Sequence, residues 1–529
     1  MRTARNVRAA GNIFREIAAR RIFTALAMAG FLGGGLAEAG INNPYDGYSS
    51  TSSYFLNYAN GTSFAPGVTG DVQVSVKIAG VSHVFNVDTG SRGLYAASTE
   101  LGGNFTSPAR LPGAYQGQIQ LDSSGRLSSG YWVPTALSFD VINLSTNATT
   151  TVTSTANILA VTTLSAQMNR TATFGVDTSV AGYNGTVNLV GGGTIPVISQ
   201  NGTSVVALTQ NATVNQQVSY AENIPGLIKP VSNFGIGFDL NGAPGGTGPV
   251  GNNKNQIYNP LINVAGMGGN GTLVAGYIVK ADGIQLGLTG NDAGYGYTTL
   301  NPTIYSSTNS EPDWQTPMGQ TAVTLNGTVT TNGPGSLVMD SGISQAYISA
   351  PDLSGGENIT EMAVYLMNSG GAVGYNIDLN DPANLLNPSS IDISDPTTDG
   401  IYSQNQPPYQ ANFFNTGRNV FSTFNMLYDA QNGYMGVLPN SYGLTDPNVF
   451  FTAQSGGFPN PIPEGNPTVM ILMGLLLLLP ALGRVRMFQI GDYSGGNDPN
   501  HIATVEHNTK RPFLLFATRV GSGASRWKC

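Results

Sequence analysis

Alternating apolar and polar residues dominate the chain between residues 67 and 440. Segments such as 71–81 (DVQVSVKIAGV) and 321–331 (TAVTLNGTVTT) carry apolar side chains at every second position and are bounded by Gly, Asn or Pro. This alternation predicts β-strands with one buried face. No sustained helical period occurs between residues 40 and 440, so the pattern predicts an all-β body of mainly antiparallel strands.

Both ends of the chain carry uninterrupted apolar runs instead. The first follows an arginine-rich segment and ends in the small-x-small pattern Ala37-Glu38-Ala39. Residues 1–39 are therefore predicted to be a signal peptide, with a retained membrane anchor as the alternative. The second run, within 466–486, is uncharged until Arg484 and, at about 18 residues, just long enough to cross a hydrocarbon core. It predicts a C-terminal transmembrane helix.

Length and charge narrow the class of protein. With 529 residues the chain is long enough for two lobes or more. Charged residues make up only 10%, the net charge is −8, and no basic stripe runs through the body. Nucleic-acid binding is therefore not expected.

The counts of reactive residues exclude several chemistries. The single cysteine is Cys529, and the three histidines are His83, His501 and His507. No thiol nucleophile, thiolate metal site or G-x-S-x-G nucleophile turn is available. No metal and no cofactor is expected, and any hydrolytic chemistry would depend on carboxylates, hydroxyls and backbone groups.

One short segment occurs twice, as FNVDTGSRGLY at 85–95 and LVMDSGISQAY at 337–347. Each copy follows a strand-like run, and each contains an aspartate, a hydroxyl residue, a glycine and a later tyrosine. Two such turns, one per half of a β-rich chain, indicate a duplicated lobe. The matching pairs are Asp88 and Asp340, Thr89 and Ser341, Gly90 and Gly342, and Tyr95 and Tyr347.

These two segments resemble the catalytic loops of the pepsin-like aspartic proteases. Three further segments resemble that family in the order it uses: NFGIGFD at 233–239, GTLVAGYIVKADGIQLGL at 271–288, and the block at 413–437. The resemblance covers residues 67–440. It implies a bilobal acid-protease fold with the active-site cleft between the lobes, 67–265 forming the first lobe and 266–440 the second.

The resemblance also implies roles for individual residues. Two neighbouring carboxylates share a proton, so one can activate water while the other protonates the peptide carbonyl. Asp88 and Asp340 would be this catalytic pair in an aspartic endopeptidase that acts on proteins or peptides, and it needs no metal. The loops would be supported by Thr89, Gly90, Ser91, Ser341 and Gly342, and the substrate-pocket candidates are Tyr95, Tyr115, Tyr131 and Tyr347.

The chain departs from the family at two places. A hydroxyl three residues after each aspartate is usual, and Ser91 supplies one, but Ile343 does not. Losing that hydrogen bond should raise the pKa of Asp340 and loosen its orientation. In the hairpin that resembles the family's flap (117–133), Leu121 or Asp122 falls where a tyrosine is usual. These departures leave open a second function, a non-catalytic surface or matrix protein with the same fold.

The C-terminal run completes the predicted organisation. Pro463-Glu464, the apolar span and the arginines together resemble the PEP-CTERM sorting signal of Gram-negative bacteria, although Gly465 replaces its second proline. An exported, surface-anchored monomer is expected, with a sorting enzyme as a partner for this segment. Residues 40–66 are predicted to be a loose lead-in, 441–465 a Pro/Gly-rich linker, and 487–529 a tail without assigned role. Asp177, in FGVDTSVAG, lacks the following glycine and is predicted to be a turn residue.

Overall fold

The structure is a computed structural model that describes part of the chain. The described residues are 45, 48, 53–66, 68, 70–121, 124–238, 258–268, 272–292, 295–302, 312, 314–325, 328–349, 353, 359–366, 373–393 and 413–451. All of them belong to the first of two compact units, Met1–Pro461. The predicted signal peptide, the transmembrane segment 466–486 and the tail 487–529 lie outside the described residues.

The described chain is mainly β-structure, which confirms the all-β prediction. Helical structure among the described residues is limited to short segments, α1 (Ser98–Leu101) and the 3-10 turns Ala59–Gly61, Gly103–Thr106, Pro108–Arg110, Gly290–Asp292 and Arg418–Ser422. In this part of the chain no helix has the length and apolar character needed to cross a membrane. In chain order the strands are β1 (Tyr54–Asn57), β2 (Gln73–Ile78), β3 (Val81–Asp88), β4 (Arg92–Ala97), β5 (Tyr115–Leu121), β6 (Arg126–Asn143), β7 (Ala148–Ala166), β8 (Arg170–Gly175), β9 (Thr186–Asn188), β10 (Thr194–Pro196), β11 (Ile198–Gln200), β12 (Thr203–Gln210), β13 (Gln217–Ser219), β14 (Ser232–Ile236), β15 (Val274–Val279), β16 (Gly283–Leu288), β17 (Gly296–Thr299), β18 (Met318–Leu325), β19 (Thr328–Val338), β20 (Ala346–Ser349), β21 (Glu361–Tyr365), β22 (Val373–Asp378), β23 (Ile391–Ile393), β24 (Phe413–Asn415), β25 (Phe424–Asp429), β26 (Tyr434–Pro439) and β27 (Val449–Phe451).

A closed barrel of six strands carries the first aspartate loop. Its order is β7-β4-β14-β3-β2-β6, and pairing of β6 with β7 closes the ring. The apolar positions of the alternating pattern are buried. In β2, Val74, Val76 and Ile78 are buried, while Ser75 and Lys77 between them are partly exposed. Two pairs of neighbouring strands in the barrel are parallel, β3 with β14 and β4 with β7. Asp88 is therefore the last residue of a strand, β3, that is paired on both sides, with β2 and with β14.

The same strand arrangement occurs again in an eight-stranded sheet. Its order is β23-β20-β24-β19-β18-β21-β22-β27, so the run β18-β19-β24-β20-β23 repeats β2-β3-β14-β4-β7 of the barrel. The parallel pairs recur as well, β19 with β24 and β20 with β23. Asp340 follows β19 as Asp88 ends β3. The two aspartate loops thus occupy equivalent places in a repeated topology.

Within the predicted lead-in 40–66, the described residues 53–66 include a strand, β1. Strand β1 lies between β6 and β16 and pairs antiparallel with both. Tyr45 is fully buried and packs in an apolar cluster with Leu288 and Leu427. This part of the chain therefore joins the barrel to strands β15, β16 and β25. It was missed because YFLN is a four-residue run among Ser, Thr and Asn.

The Ser/Thr-rich insert 140–230 forms strands that extend the first half. Strands β8, β12 and β11 make a three-stranded sheet, and β9 and β10 make a hairpin. Phe174, Val206 and Leu208 are buried in a second apolar cluster that includes Trp132 of β6. Residues 441–451, predicted as linker, include β27, which pairs with β22. The Gly-rich segment 241–256 lies outside the described residues.

Two buried aspartates brace the strands next to β1. Asp292 is 7% exposed and accepts hydrogen bonds from the Thr289 N–H and the Gln285 amide. Asp429 is fully buried and accepts from the backbone N–H groups of Gln431 and Asn432. Burial raises the pKa of both carboxyl groups, and the donated hydrogen bonds only partly offset it.

The contribution of these two carboxyl groups to stability is expected to increase as the pH falls from neutrality toward the ordinary aspartate range. A raised carboxyl pKa means that the folded chain binds protons in a range where the unfolded chain has released them, so acidification favours the folded state. Burial lowers the pKa of His83, which acts in the opposite sense because the unfolded chain protonates it first. Chemical denaturation of the wild type and of Asp292→Asn over this range isolates the effect, and acidification should favour the wild type over the variant. An identical pH dependence in the two proteins would contradict the expectation.

Candidate active site

The two predicted aspartates meet at the junction between the repeated strand arrangements. Both are buried, Asp88 at 9% and Asp340 at 5% exposure. Asp88 is carried by the turn between β3 and β4, and β14 runs parallel beside it, with Gly235 opposite Asp88. The side chain of Asp340 hydrogen bonds to that of Asp88. The structure thus brings together the two carboxyl groups that the repeated segment singled out.

Hydrogen bonds between the loops hold them in a near-symmetric arrangement. The Thr89 N–H donates to Ser341 Oγ at 2.9 Å, and the Ser341 N–H donates to Thr89 Oγ1 at 2.9 Å. Each hydroxyl in turn donates to a backbone carbonyl of the opposite loop, Thr89 Oγ1 to Met339 at 2.5 Å and Ser341 Oγ to Val87 at 3.0 Å. The expected cross-junction bonds of Thr89 and Ser341 are therefore present. Because each hydroxyl both donates and accepts, neither is satisfied without the other loop.

Close approach of the carboxyl groups depends on the two loop glycines. A methyl group added at Gly90 would overlap the carboxyl group of Asp340. One added at Gly342 would lie 2.6 Å from the carboxyl group of Asp88. Such distances are shorter than any carbon–oxygen van der Waals contact, so the site has no room for a side chain at either position.

Hydrogen-bond donors are distributed unequally between the aspartates. Asp88 accepts three: from the Gly90 N–H to Oδ1 at 2.8 Å, from Ser91 Oγ to Oδ2 at 2.6 Å and from Asn233 Nδ2 to Oδ2 at 2.8 Å. Asp340 accepts two. The Gly342 N–H donates to its Oδ1 at 2.8 Å and Asn415 Nδ2 to its Oδ2 at 2.7 Å. Donors stabilise a charged carboxylate, and Asp88 has one more of them than Asp340.

Asp340 is the member of the pair that holds its proton more tightly. Burial raises its pKa to about 8, and the neighbouring charge of Asp88 and the hydrogen bond between the two carboxyl groups act in the same direction. The Asn415 amide and the Gly342 N–H lower the pKa, but they do not outweigh burial. At neutral pH the arrangement can therefore hold one proton for donation beside one carboxylate for acceptance.

Ile343 does leave Asp340 without the hydroxyl that Ser91 supplies to Asp88. Ser344 does not replace it, because its side chain hydrogen bonds to Ser389 instead. Among the described hydrogen bonds, Oδ2 of Asp340 accepts from Asn415, the counterpart of Asn233 in the first half. Neither asparagine was predicted from the sequence. A signal was present, since each asparagine stands two residues before a glycine in the matched segments, as Asn233-Phe234-Gly235 and Asn415-Thr416-Gly417.

The tyrosines of the repeated segment lie beside these asparagines. Tyr95 is opposite Asn233 across β4 and β14, and Tyr347 is opposite Asn415 across β20 and β24. Tyr95 is 4% exposed and hydrogen bonds to Asn233. Burial and the nearby Asp392 and Asp340 carboxylates raise the pKa of Tyr347, which is partly exposed. A substrate contact of Tyr95 or Tyr347 stays a prediction.

The hairpin predicted to resemble a flap is present as β5 and β6. It differs from a free hairpin, because β6 also pairs with β7 from Arg126 opposite Ala166 onward. Arg126 Nε donates to the carbonyl of Thr173 at 2.9 Å and ties the hairpin to β8. The other two candidate tyrosines lie at its base, where the hydroxyl of Tyr115 pairs with that of Tyr258 and the hydroxyl of Tyr131 accepts from Gln116. Leu121 ends β5, and Asp122 lies outside the described residues.

Asp177 is a turn residue, as predicted. Its Oδ1 accepts from the Ser179 N–H at 3.0 Å and the Ser179 hydroxyl at 2.6 Å, which is an Asx-turn. Across the described ranges no group of three or more His, Cys, Asp or Glu side chains is arranged to hold a metal ion.

Comparison with known proteins does not identify the chain. No protein-family model and no curated protein matches it.

Proposed function

We propose that this protein is a pepsin-like aspartic endopeptidase that hydrolyses peptide bonds in proteins or peptides. The observation that carries the proposal is the buried pair Asp88 and Asp340, supplied by two copies of one loop and unequal in hydrogen-bond donors. The repeated five-strand arrangement supports a bilobal fold of this class, with the substrate cleft between the halves. The loop glycines and the Thr89–Ser341 hydrogen bonds support the same proposal, because they hold the two carboxyl groups close together.

The unequal environments suggest separate roles for the two carboxyl groups. Ionised Asp88 accepts a proton from a water molecule, whose oxygen attacks the carbonyl carbon of the scissile peptide bond. Protonated Asp340 donates its proton to the carbonyl oxygen, which gives a neutral tetrahedral diol. Asp88 then passes its proton to the nitrogen, the C–N bond breaks, and a hydroxyl proton of the diol returns to Asp340. The cycle needs no nucleophilic side chain.

Location is proposed from the sequence alone. The signal-like residues 1–39 and the PEP-CTERM-like segment 466–486 suggest an exported enzyme held at the cell surface. On this proposal a sorting enzyme recognises the C-terminal segment, and the substrate is a protein outside the cytoplasm.

Cleavage by the full-length protein in detergent tests the proposed activity. An unfolded protein substrate is expected to be cut at acidic pH, and cleavage should cease where Asp340 loses its proton. Because the pKa of Asp340 is raised, this loss should occur above the range usual for a carboxyl group. A statine-type peptide, whose hydroxyl resembles the tetrahedral intermediate, should block the reaction. Absence of cleavage between about pH 3 and about pH 8 would refute the proposal and favour the non-catalytic surface or matrix protein.

A further inference from the structure

Asn415 is the counterpart of Asn233, but it donates to its aspartate without a second side-chain donor like Ser91 beside it. Ser91 donates to Oδ2 of Asp88, the oxygen that does not accept from a loop N–H. In the second loop Ile343 has no donor, and Asn415 Nδ2 donates to the equivalent Oδ2 of Asp340 at 2.7 Å. Asn415 is 7% exposed, so water cannot readily supply this bond instead.

The orientation of the Asn415 amide is fixed from its other side. The Gly417 N–H donates to Asn415 Oδ1 at 3.0 Å, which leaves the NH₂ group facing Asp340. A hydroxyl can donate to a carboxylate or accept from a carboxylic acid, but an amide NH₂ can only donate. Asn415 Nδ2 is thus held as a donor to Oδ2 of Asp340, as the Gly342 N–H is to Oδ1.

We propose that Asn415 is the positioning residue of Asp340: with no hydroxyl at 343, this amide fixes the orientation of the carboxyl group through Oδ2. The role rests on the proposed function, in which Asp340 delivers its proton to the substrate carbonyl. A carboxyl group held in one orientation presents its proton in one direction, whereas a rotating group would present it only part of the time.

Asn233 supplies a matched control on the first loop. Its Nδ2 donates to Asp88 Oδ2 at 2.8 Å and lies 2.9 Å from Ser91 Oγ. Oδ2 of Asp88 thus has two donors, so removing Asn233 leaves Ser91 in place. Removing Asn415 leaves Oδ2 of Asp340 with no donor among the hydrogen bonds described.

The kinetic test compares Asn415→Ala, Asn233→Ala and the double variant Ile343→Thr/Asn415→Ala in the full-length protein. Asn415→Ala should lower kcat, with little change in KM, by about tenfold to one hundredfold, the range for a hydrogen bond to a charged group. Asn233→Ala should cost less than Asn415→Ala, because Ser91 still donates to Oδ2 of Asp88. Threonine at 343 restores a branched side chain with a donor and should recover most of the lost activity. Wild-type activity in Asn415→Ala, or no recovery in the double variant, would overturn the role.

A titration separates positioning from a general structural effect. The titratable groups facing Asp340 are Asp88 from the first loop and Tyr347 from β20. Loss of a donor to the charged form should raise the upper apparent pKa of the pair in Asn415→Ala, and Ile343→Thr should reverse the rise. Carboxyl ¹³C NMR measures it, with thermal unfolding as a check on folding. An unchanged titration would overturn the proposal. Because NMR needs no turnover, it tests Asn415 even if the protein cleaves nothing and the proposed function fails.

Discussion

Replacing Asp88 with asparagine is expected to abolish peptide cleavage, with kcat reduced about a thousandfold or more. Asparagine has the same shape and can still accept from the Gly90 N–H, but it cannot take a proton from water. The Asn233 and Ser91 donors that now stabilise a carboxylate would face a neutral amide. The measurement is single-turnover cleavage of an unfolded protein substrate at the pH optimum of the unmodified enzyme.

The matched control for this change is Asp177→Asn, which alters an aspartate in the related sequence Asp-Thr-Ser. Asp177 is satisfied within its own turn and is not part of the site. Cleavage should be unaffected, and both variants should unfold near the wild-type temperature. Full activity in Asp88→Asn would show that any observed cleavage comes from another group or from a contaminating protease.

Gly90→Ala is expected to abolish the proposed peptide cleavage without removing either carboxyl group. The added methyl would overlap the carboxyl group of Asp340, so that side chain or the whole loop must move. Movement would also strain the bonds between Thr89 and Ser341, and overpacking of this kind costs about 1–3 kcal/mol of stability. Cleavage assays and thermal unfolding measure the two effects.

Gly290→Ala is the control for the general effect of adding a methyl group. The nearest atoms there are backbone oxygens of Tyr48 and Tyr45 at 3.5 Å and 3.8 Å, which are ordinary contacts. Activity and stability should change little. If Gly90→Ala behaves like Gly290→Ala, the carboxyl groups cannot be as close as the structure places them.

The aspartate pair was predictable because it depends on a pattern that the chain repeats. The copies at 85–95 and 337–347 share residue types in the same order, and strand alternation on either side places each at a strand end. Asn233 and Asn415 were not found, because an Asn-x-Gly sequence is typical of turns and nothing local shows what the amide faces. Their partners come from strands far away in the sequence, 145 residues for Asn233 and 75 for Asn415.

The strand β7 shows a different limit of sequence reading. Its first half is rich in threonine, serine and alanine, and it lies within the Ser/Thr-rich insert 140–230. In the structure it pairs with β6 over nearly its whole length and closes the barrel. Threonine favours strands through branching at Cβ, but polarity hides the alternation that predicts burial. The place of β7 in the barrel depends on its pairing with β6 and β4 more than on its residue types.

The position of β1 constrains the order in which the chain can fold as it is synthesised. Tyr54 pairs with Asn143 on one side and with Leu286 on the other, so β1 is made long before its second partner. Until β16 is available, one edge of β1 remains open, and the junction between Thr89 and Ser341 forms later still. The two aspartates therefore cannot be assembled on an incomplete chain. In this interval the open strand edges are exposed to pairing with other chains.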